Sequence, residues 1–233
     1  MAVSEQGDLR SEGRFVRSRP ECPEPWLWHS EDVGGVEDEV RGLIVRSIET
    51  VKPIACVETG AWRGSTARAI AEALERNGRG YLWSLELDPD AATAAVETIA
   101  GVAHRAEVVQ RSSLEWRPTR KLDFVFLDSS AGIRGLEFLH FYPWMHARTL
   151  VLVHDTGRHR LQPRRELEIL RRIGLLQVVW LPTPRGLAIC QPAFPAGRAV
   201  RLRAARTALQ DLLPAILFVE EKAIRARDRF RRG

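Results

Sequence analysis

The sequence is poor in cysteine and holds no long apolar run, and both shortages narrow what it can be. Cys22, Cys56 and Cys190 are odd in number and far apart. They suit neither a disulfide framework nor a Cys-based metal spacing, and Cys56 and Cys190, inside apolar strand-like runs, read as buried thiols. No apolar stretch approaches a membrane span, and the polar N-terminus lacks a signal-peptide core. The expected compartment is therefore the reducing cytoplasm. Positive charge is scarce where a polynucleotide would need it. The pI of 9.6 comes from residues 197–233, which carry ten Arg or Lys against four acids; residues 1–196 sum to −1 of the chain's +5. A near-neutral body offers no basic groove, so nucleic acid is disfavoured as a partner.

What remains is a 233-residue chain with 45% apolar content, enough for one α/β domain with appendages. Residues 1–30 read as an irregular arm, 31–195 as the folded domain and 196–233 as a basic helical tail. A helix is expected over 31–51, starting near Gly35 and stopped by Pro53. Strand and helix then alternate: strands at 54–59, 80–87, 106–111, 122–127 and 149–153, helices at 64–77, 89–100, 132–145 and 162–173. Leu176–Leu181 and Gly186–Cys190, joined by Pro182-Thr-Pro-Arg, read as a closing hairpin. Five βα repeats imply a doubly wound, Rossmann-like parallel sheet covered on both faces.

The most informative stretch is Ile54-Ala-Cys-Val-Glu58-Thr-Gly60-Ala-Trp62-Arg-Gly64-Ser-Thr66. A β-branched run ends in an acid, turns on two glycines and opens into a helix. Gly60 and Gly64 let backbone approach a ligand, the helix start offers free N–H groups, and Glu58 sits at the strand end. The three-glycine dinucleotide fingerprint is absent, because Trp62 holds its second glycine position. That bulk leaves little room for a pyrophosphate and favours a nucleoside-sized ligand without one. Glu86, near the end of the second strand, can accept both ribose hydroxyls. Asp88 competes for that role, but its place before Pro89 suits a helix N-cap.

The acid-x-Gly-x-x-x-Gly turn resembles motif I of class I S-adenosylmethionine-dependent methyltransferases. Further segments narrow the likeness to the catechol O-methyltransferase-like group: Ser84-Leu-Glu86-Leu-Asp-Pro, Val108-Val-Gln-Arg-Ser112-Ser113, Leu122-Asp-Phe-Val-Phe-Leu-Asp128 and Val151-Leu-Val-His-Asp155. Together they span roughly residues 50–160 in order. The resemblance implies seven strands in the order 3-2-1-4-5-7-6 with an antiparallel final hairpin. It implies S-adenosylmethionine as cofactor and O-methylation of a small hydroxylated acceptor, phenolic or sugar-bearing. By that likeness Gly60, Trp62 and Thr66 line the methionine and sugar end, Glu86 holds the ribose, and Ser112 or Ser113 sits by the adenine.

Asp128 and Asp155 end adjacent strands, and two such acids can hold Mg²⁺; in the resembled group a metal here activates the substrate hydroxyl. Two departures leave that open. Thr156 stands where metal-dependent members carry Asn, and Ser129, Ser130 and Ala131 stand where a lysine is expected. Without a metal, the base would be His154 or His159; His140 and His146 read as packing residues. A strictly alternating strand would send His154 and Asp155 to opposite sides. Trp83 and Trp180 read as core, whereas Trp26, Trp28 and Trp144 could either overhang the site or pack. A catalytically idle cofactor-binding subunit is the reading from another class.

From Leu202 a stripe with three-four spacing runs through Ala205, Leu209, Leu212, Ile216, Val219, Ala223, Ala226 and Phe230, interrupted by Pro214. It predicts a homodimer contact, a peripheral anchor on anionic lipid, or a solvated tail.

Overall fold

The computed structural model describes residues 27–30, 35–158 and 161–210; the expected roles of Trp26, His159 and most of the tail lie outside them. The chain runs α1 Asp38–Val51, β1 Ala55–Thr59, α2 Ser65–Arg76, β2 Tyr81–Glu86, α3 Pro89–Ile99, β3 Ala106–Gln110 and β4 Phe124–Leu127. It continues with α4 Arg134–Phe141, β5 Leu150–His154, α5 Leu161–Ile173, β6 Leu176–Leu181 and β7 Leu187–Pro192. The first helix begins at Asp38, later than the expected 31–51, since Glu37 is extended (φ −59°, ψ 141°). The helical stretch after β4 is also shorter than expected, closing in a 3-10 turn over Tyr142–Trp144 that contains Pro143.

The seven strands form one sheet in the order β3-β2-β1-β4-β5-β7-β6. All neighbours are parallel except β5–β7 and β6–β7. Alternation along the central strands feeds two cores. Val57, Val125, Leu127, Val151 and Val153 pack against Phe138, Phe141, Leu167 and Leu170 of α4 and α5. Cys56, Phe124, Phe126 and Leu152 face the other way, against Ile44 and Ile48 of α1 and Ile70 and Leu74 of α2. Strands buried on both faces explain why these runs are almost wholly apolar. Trp83, Trp144 and Trp180 pack at the margin of the first core and Trp28 at that of the second.

Residues 198–210 are helical, and Ala205 and Leu209 are fully buried in the first core. The start of the tail stripe therefore packs on its own domain; the stripe beyond residue 210 lies outside the described residues. No described helix is long and apolar enough to cross a membrane.

Candidate active site

The strand order reverses between β1 and β4, and there a cavity of about 630 Å³ opens at the carboxyl edge of the sheet. Crevices at such switch points are where doubly wound sheets bind ligands. Gly60, Trp62, Thr66, Glu86, Ser112, Ser113 and Asp128 all line it, joined by Gly35 and Val36 from the segment before α1. Gly60 has φ +79°, and a Cβ there would fall 2.6 Å from the Asp128 carbonyl oxygen. Gly64 has φ +83°, and a Cβ there would fall 2.9 Å from the Ala95 Cα of α3. Its role is helix-to-helix contact below the turn, and it does not line the cavity.

Glu86 ties the first two turns together. Its Oε2 accepts the Trp62 N–H at 2.8 Å, and its Oε1 accepts those of Leu87 (2.7 Å) and Asp88 (3.0 Å). Three backbone donors hold the carboxylate still at the cavity wall, and its remaining lone pairs can still accept from a ligand. Asp88 spends its own carboxylate on the N–H groups of Asp90 and Ala91, the N-cap of α3. The Trp62 ring, 46% exposed, stands at the mouth with φ 49°.

Glu58 is corrected by its surroundings. It is buried beneath the turn and absent from the cavity wall. Burial pushes its carboxyl up to about 8, with Ser84 partly opposing and the charges of Asp128 and Glu86 adding to the rise. At neutral pH it is a protonated partner of the Ser84 hydroxyl (2.5 Å) and offers no negative charge to a ligand.

A second buried carboxylate, which the sequence did not single out, braces three strand ends. Glu137 of α4 accepts the hydroxyls of Thr59 (3.1 Å), Ser113 (2.5 Å) and Ser129 (2.7 Å). Burial raises its pKa against the opposition of those hydroxyls and Arg134. Ser113 and Ser129 both line the cavity. With their protons committed to Glu137, they present acceptor oxygens to whatever enters.

Asp128, His154 and Asp155 do converge, each offering an atom within 4.8 Å of the others. The strand ends at His154, and Asp155 turns into the left-handed region (φ 58°), so strict alternation does not separate them. The centre of the cluster is a guanidinium. Arg134 Nη2 donates to Asp128 Oδ1 at 3.0 Å and to Asp155 Oδ2 at 3.1 Å, and the side chain is 2% exposed. Arg185 clamps both Asp155 oxygens, Nε to Oδ1 at 2.7 Å and Nη2 to Oδ2 at 2.9 Å. A divalent ion does not fit this donor set, because its two expected carboxylates are already bridged by a buried cation. The sequence signal was displaced rather than absent. The lysine expected about three residues after Asp128 is missing, and Arg134 supplies a cation six residues after it.

The structure also corrects His154 as a base. Its ring is fully buried, with Nδ1 3.0 Å from Asp128 Oδ1 and Nε2 2.7 Å from Glu37 Oε2. Burial alone would lower its pKa, but the Asp128 and Glu37 carboxylates outweigh it and lift it to about 9. An imidazolium holding both protons cannot accept another. His140 bonds the Trp116 carbonyl at 2.6 Å and His146 pairs with Asp123 at 3.0 Å, both away from the cavity.

Residues 57–156 match the family model described as a methyltransferase domain. No curated protein sequence matches the chain. Among solved structures the chain is similar to the S-adenosylhomocysteine-bound methyltransferase PaMTH1 of Podospora anserina, at 14% identity over 69% of this chain and 81% of that one (TM-score 0.62). It is similar to a putative O-methyltransferase from Klebsiella pneumoniae, at 16% identity over 77% and 93% (TM-score 0.62). It is also similar to TomG of Streptomyces achromogenes, an O-methyltransferase of tomaymycin synthesis solved with S-adenosylmethionine, at 16% identity over 80% and 96% (TM-score 0.59). Residues 57–156 thus match a methyltransferase domain, and the strand order and switch-point cavity give the chain the fold of these O-methyltransferases.

Proposed function

We propose that this protein transfers the methyl group of S-adenosylmethionine to a hydroxyl of a small molecule, phenolic or sugar-bearing, in the cytoplasm. The observation that carries the reading is the cavity at the β1/β4 switch point, with Glu86 fixed at one wall and Asp128 at another. Neighbours solved with S-adenosylhomocysteine or S-adenosylmethionine support the cofactor. In this reading Glu86 accepts the ribose hydroxyls, and Ser112 and Ser113 lie by the adenine. Gly60, Trp62 and Thr66 bound the methionine end. The acceptor enters beside Asp128.

The chemistry is one displacement. The acceptor oxygen attacks the methyl carbon in line with the carbon–sulfur bond. That bond breaks with its electron pair going to sulfur, the carbon–oxygen bond forms, and the hydroxyl proton passes to Asp128. Both Arg134 and His154 donate to Oδ1 of Asp128, and no described residue donates to Oδ2, which is the oxygen available to a substrate hydroxyl. Alignment in the cavity supplies most of the acceleration, since the sulfonium methyl is already activated. His154 keeps Asp128 oriented and is not the proton acceptor.

Calorimetry with S-adenosylhomocysteine and with NAD tests the cofactor; binding of the first alone is expected. Single-turnover transfer from labelled S-adenosylmethionine to a panel of hydroxyl compounds tests the reaction. Cofactor binding with no transfer to any of them would favour an idle, interaction-type subunit. A homodimer contact or a peripheral lipid contact is proposed for the tail beyond residue 210, because Ala205 and Leu209 are already spent on the domain's own core.

A further inference from the structure

The cluster behind Asp128 already holds its own cations. Asp128, Asp155 and Glu37 supply three carboxylates, the Arg134 and Arg185 guanidinium groups lie against them, and the His154 ring bridges Asp128 and Glu37. Each of these contacts falls between 2.7 and 3.1 Å. Arg134 has no spare donor nitrogen. Its Nε and Nη2 reach the Ser129 carbonyl, its Nη1 the His154 carbonyl, and Nη2 both carboxylates. Arg185 is tied further, Nη1 to the Gly35 carbonyl at 2.6 Å, while its backbone N–H donates to Glu37 at 3.0 Å. A dication entering between Asp128 and Asp155 would have to displace the Arg134 guanidinium from both carboxylates or sit beside it as a buried like charge, and both are strongly unfavourable in a site this dry.

We infer that the Arg134 guanidinium is the resident cation of this site. The protein works without a divalent metal, and Arg134 holds Asp128 with one carboxylate oxygen free toward the acceptor. Arg134 is a positioning residue, since it touches Asp128 and not the cavity. The arrangement follows from where α4 begins. Arg134 is its first residue, and Gly135 lets the helix start sit against Glu166, whose Cβ would lie 2.7 Å from any Cβ at position 135. That close approach directs the guanidinium between the ends of β4 and β5. The inference rests on reading the cavity as the cofactor site, and its test separates the two.

The probe is Mn²⁺, followed by electron paramagnetic resonance on the full-length protein with and without S-adenosylhomocysteine. Wild type is expected to bind no Mn²⁺ at millimolar concentration, and its affinity for S-adenosylhomocysteine should be the same in EDTA as in excess Mg²⁺. Arg134→Ala removes the cation that bridges Asp128 and Asp155 and should gain one Mn²⁺ site. Arg134→Lys, which keeps a cation in place, should not. One Mn²⁺ bound by wild type and lost in Asp155→Asn would overturn the inference, as would a folded Arg134→Ala protein with no Mn²⁺ site. If Arg134→Ala does not fold, the wild-type titration decides alone. Failure to bind S-adenosylhomocysteine at all would strike the cofactor reading and leave the Mn²⁺ result standing.

Discussion

Gly60→Ala should damage both stability and cofactor binding, and its cost can be worked from two separate contributions. Gly60 has φ +79°, and placing an L side chain in that region costs about 1–2 kcal/mol. The new Cβ would lie 2.6 Å from the Asp128 carbonyl oxygen and 2.9 Å from both the Asp128 carbonyl carbon and the Ser129 Cα. All three are backbone atoms, so no side chain can swing away, and overpacking of this kind costs about 1–3 kcal/mol. The total is about 2–5 kcal/mol. Relief requires the β1 and β4 turns to separate, which moves Asp128 relative to Glu86 and should weaken S-adenosylhomocysteine binding as well. Gly42 is the control. It lies inside α1, exposed, and a methyl group there would meet nothing within 4 Å, so Gly42→Ala should stabilise by about 0.5–1 kcal/mol through helix propensity alone. Urea denaturation with fitted slopes, paired with calorimetric titration of S-adenosylhomocysteine, measures both. A Gly60→Ala protein as stable as wild type, with unchanged affinity, would refute the reasoning.

Three further outcomes are expected. Glu86→Ala removes the carboxylate braced at the cavity wall and should weaken S-adenosylhomocysteine by about 1–3 kcal/mol in calorimetry, the scale of hydrogen bonds to a charged group; unchanged affinity would sink the ribose assignment. Stability should fall as pH rises into the alkaline range, because the folded state holds protons the unfolded chain releases. His154 is raised from 6.5 to about 9, so its contribution is complete below pH 6.5 and lost as pH climbs through about 9. Glu58, raised from 4.5 to about 8, is lost in the same direction over a lower window. Glu58→Gln keeps an acceptor for Ser84 and should flatten the lower part of the curve in denaturant midpoints taken from pH 5 to 9; an unchanged curve would contradict the protonated Glu58. Leu209→Ala deletes a side chain buried in the first core and should cost about 2–5 kcal/mol in urea melts, whereas a tail docked only on another chain would show a concentration-dependent loss.

The frame of the molecule was legible because it is written in local terms. Short apolar runs marked β1, β4 and β5, and the apolar run Leu176–Leu181 coincides with β6 at both ends. The glycines at 60 and 64 marked the turn, and Asp88 before Pro89 marked a helix start. Glu86 and Asp128 followed from their places at strand ends, which a doubly wound sheet gathers along one edge, and Gly60 from the glycine turn, whereas Trp62, Thr66, Ser112 and Ser113 followed from the methyltransferase resemblance. What surrounds those residues was not legible. Glu137 meets Thr59 across 78 positions, Ser113 across 24 and Ser129 across eight. Glu37 meets His154 across 117 positions. Nothing in the neighbourhood of His154 along the chain distinguishes a neutral base from a buried imidazolium; Glu37 and Asp128 decide it from opposite sides of the ring. The same holds for Glu58, which reads as a ligand-facing acid until burial makes it neutral, and for Arg134, which nothing along the chain singled out and which the fold sets between two carboxylates. Backbone preference depends on a residue and its few neighbours along the chain, so it survives in the sequence. The charge of a buried group depends on which partners stand within about 3 Å of it, and only the packed sheet and helices bring those partners there.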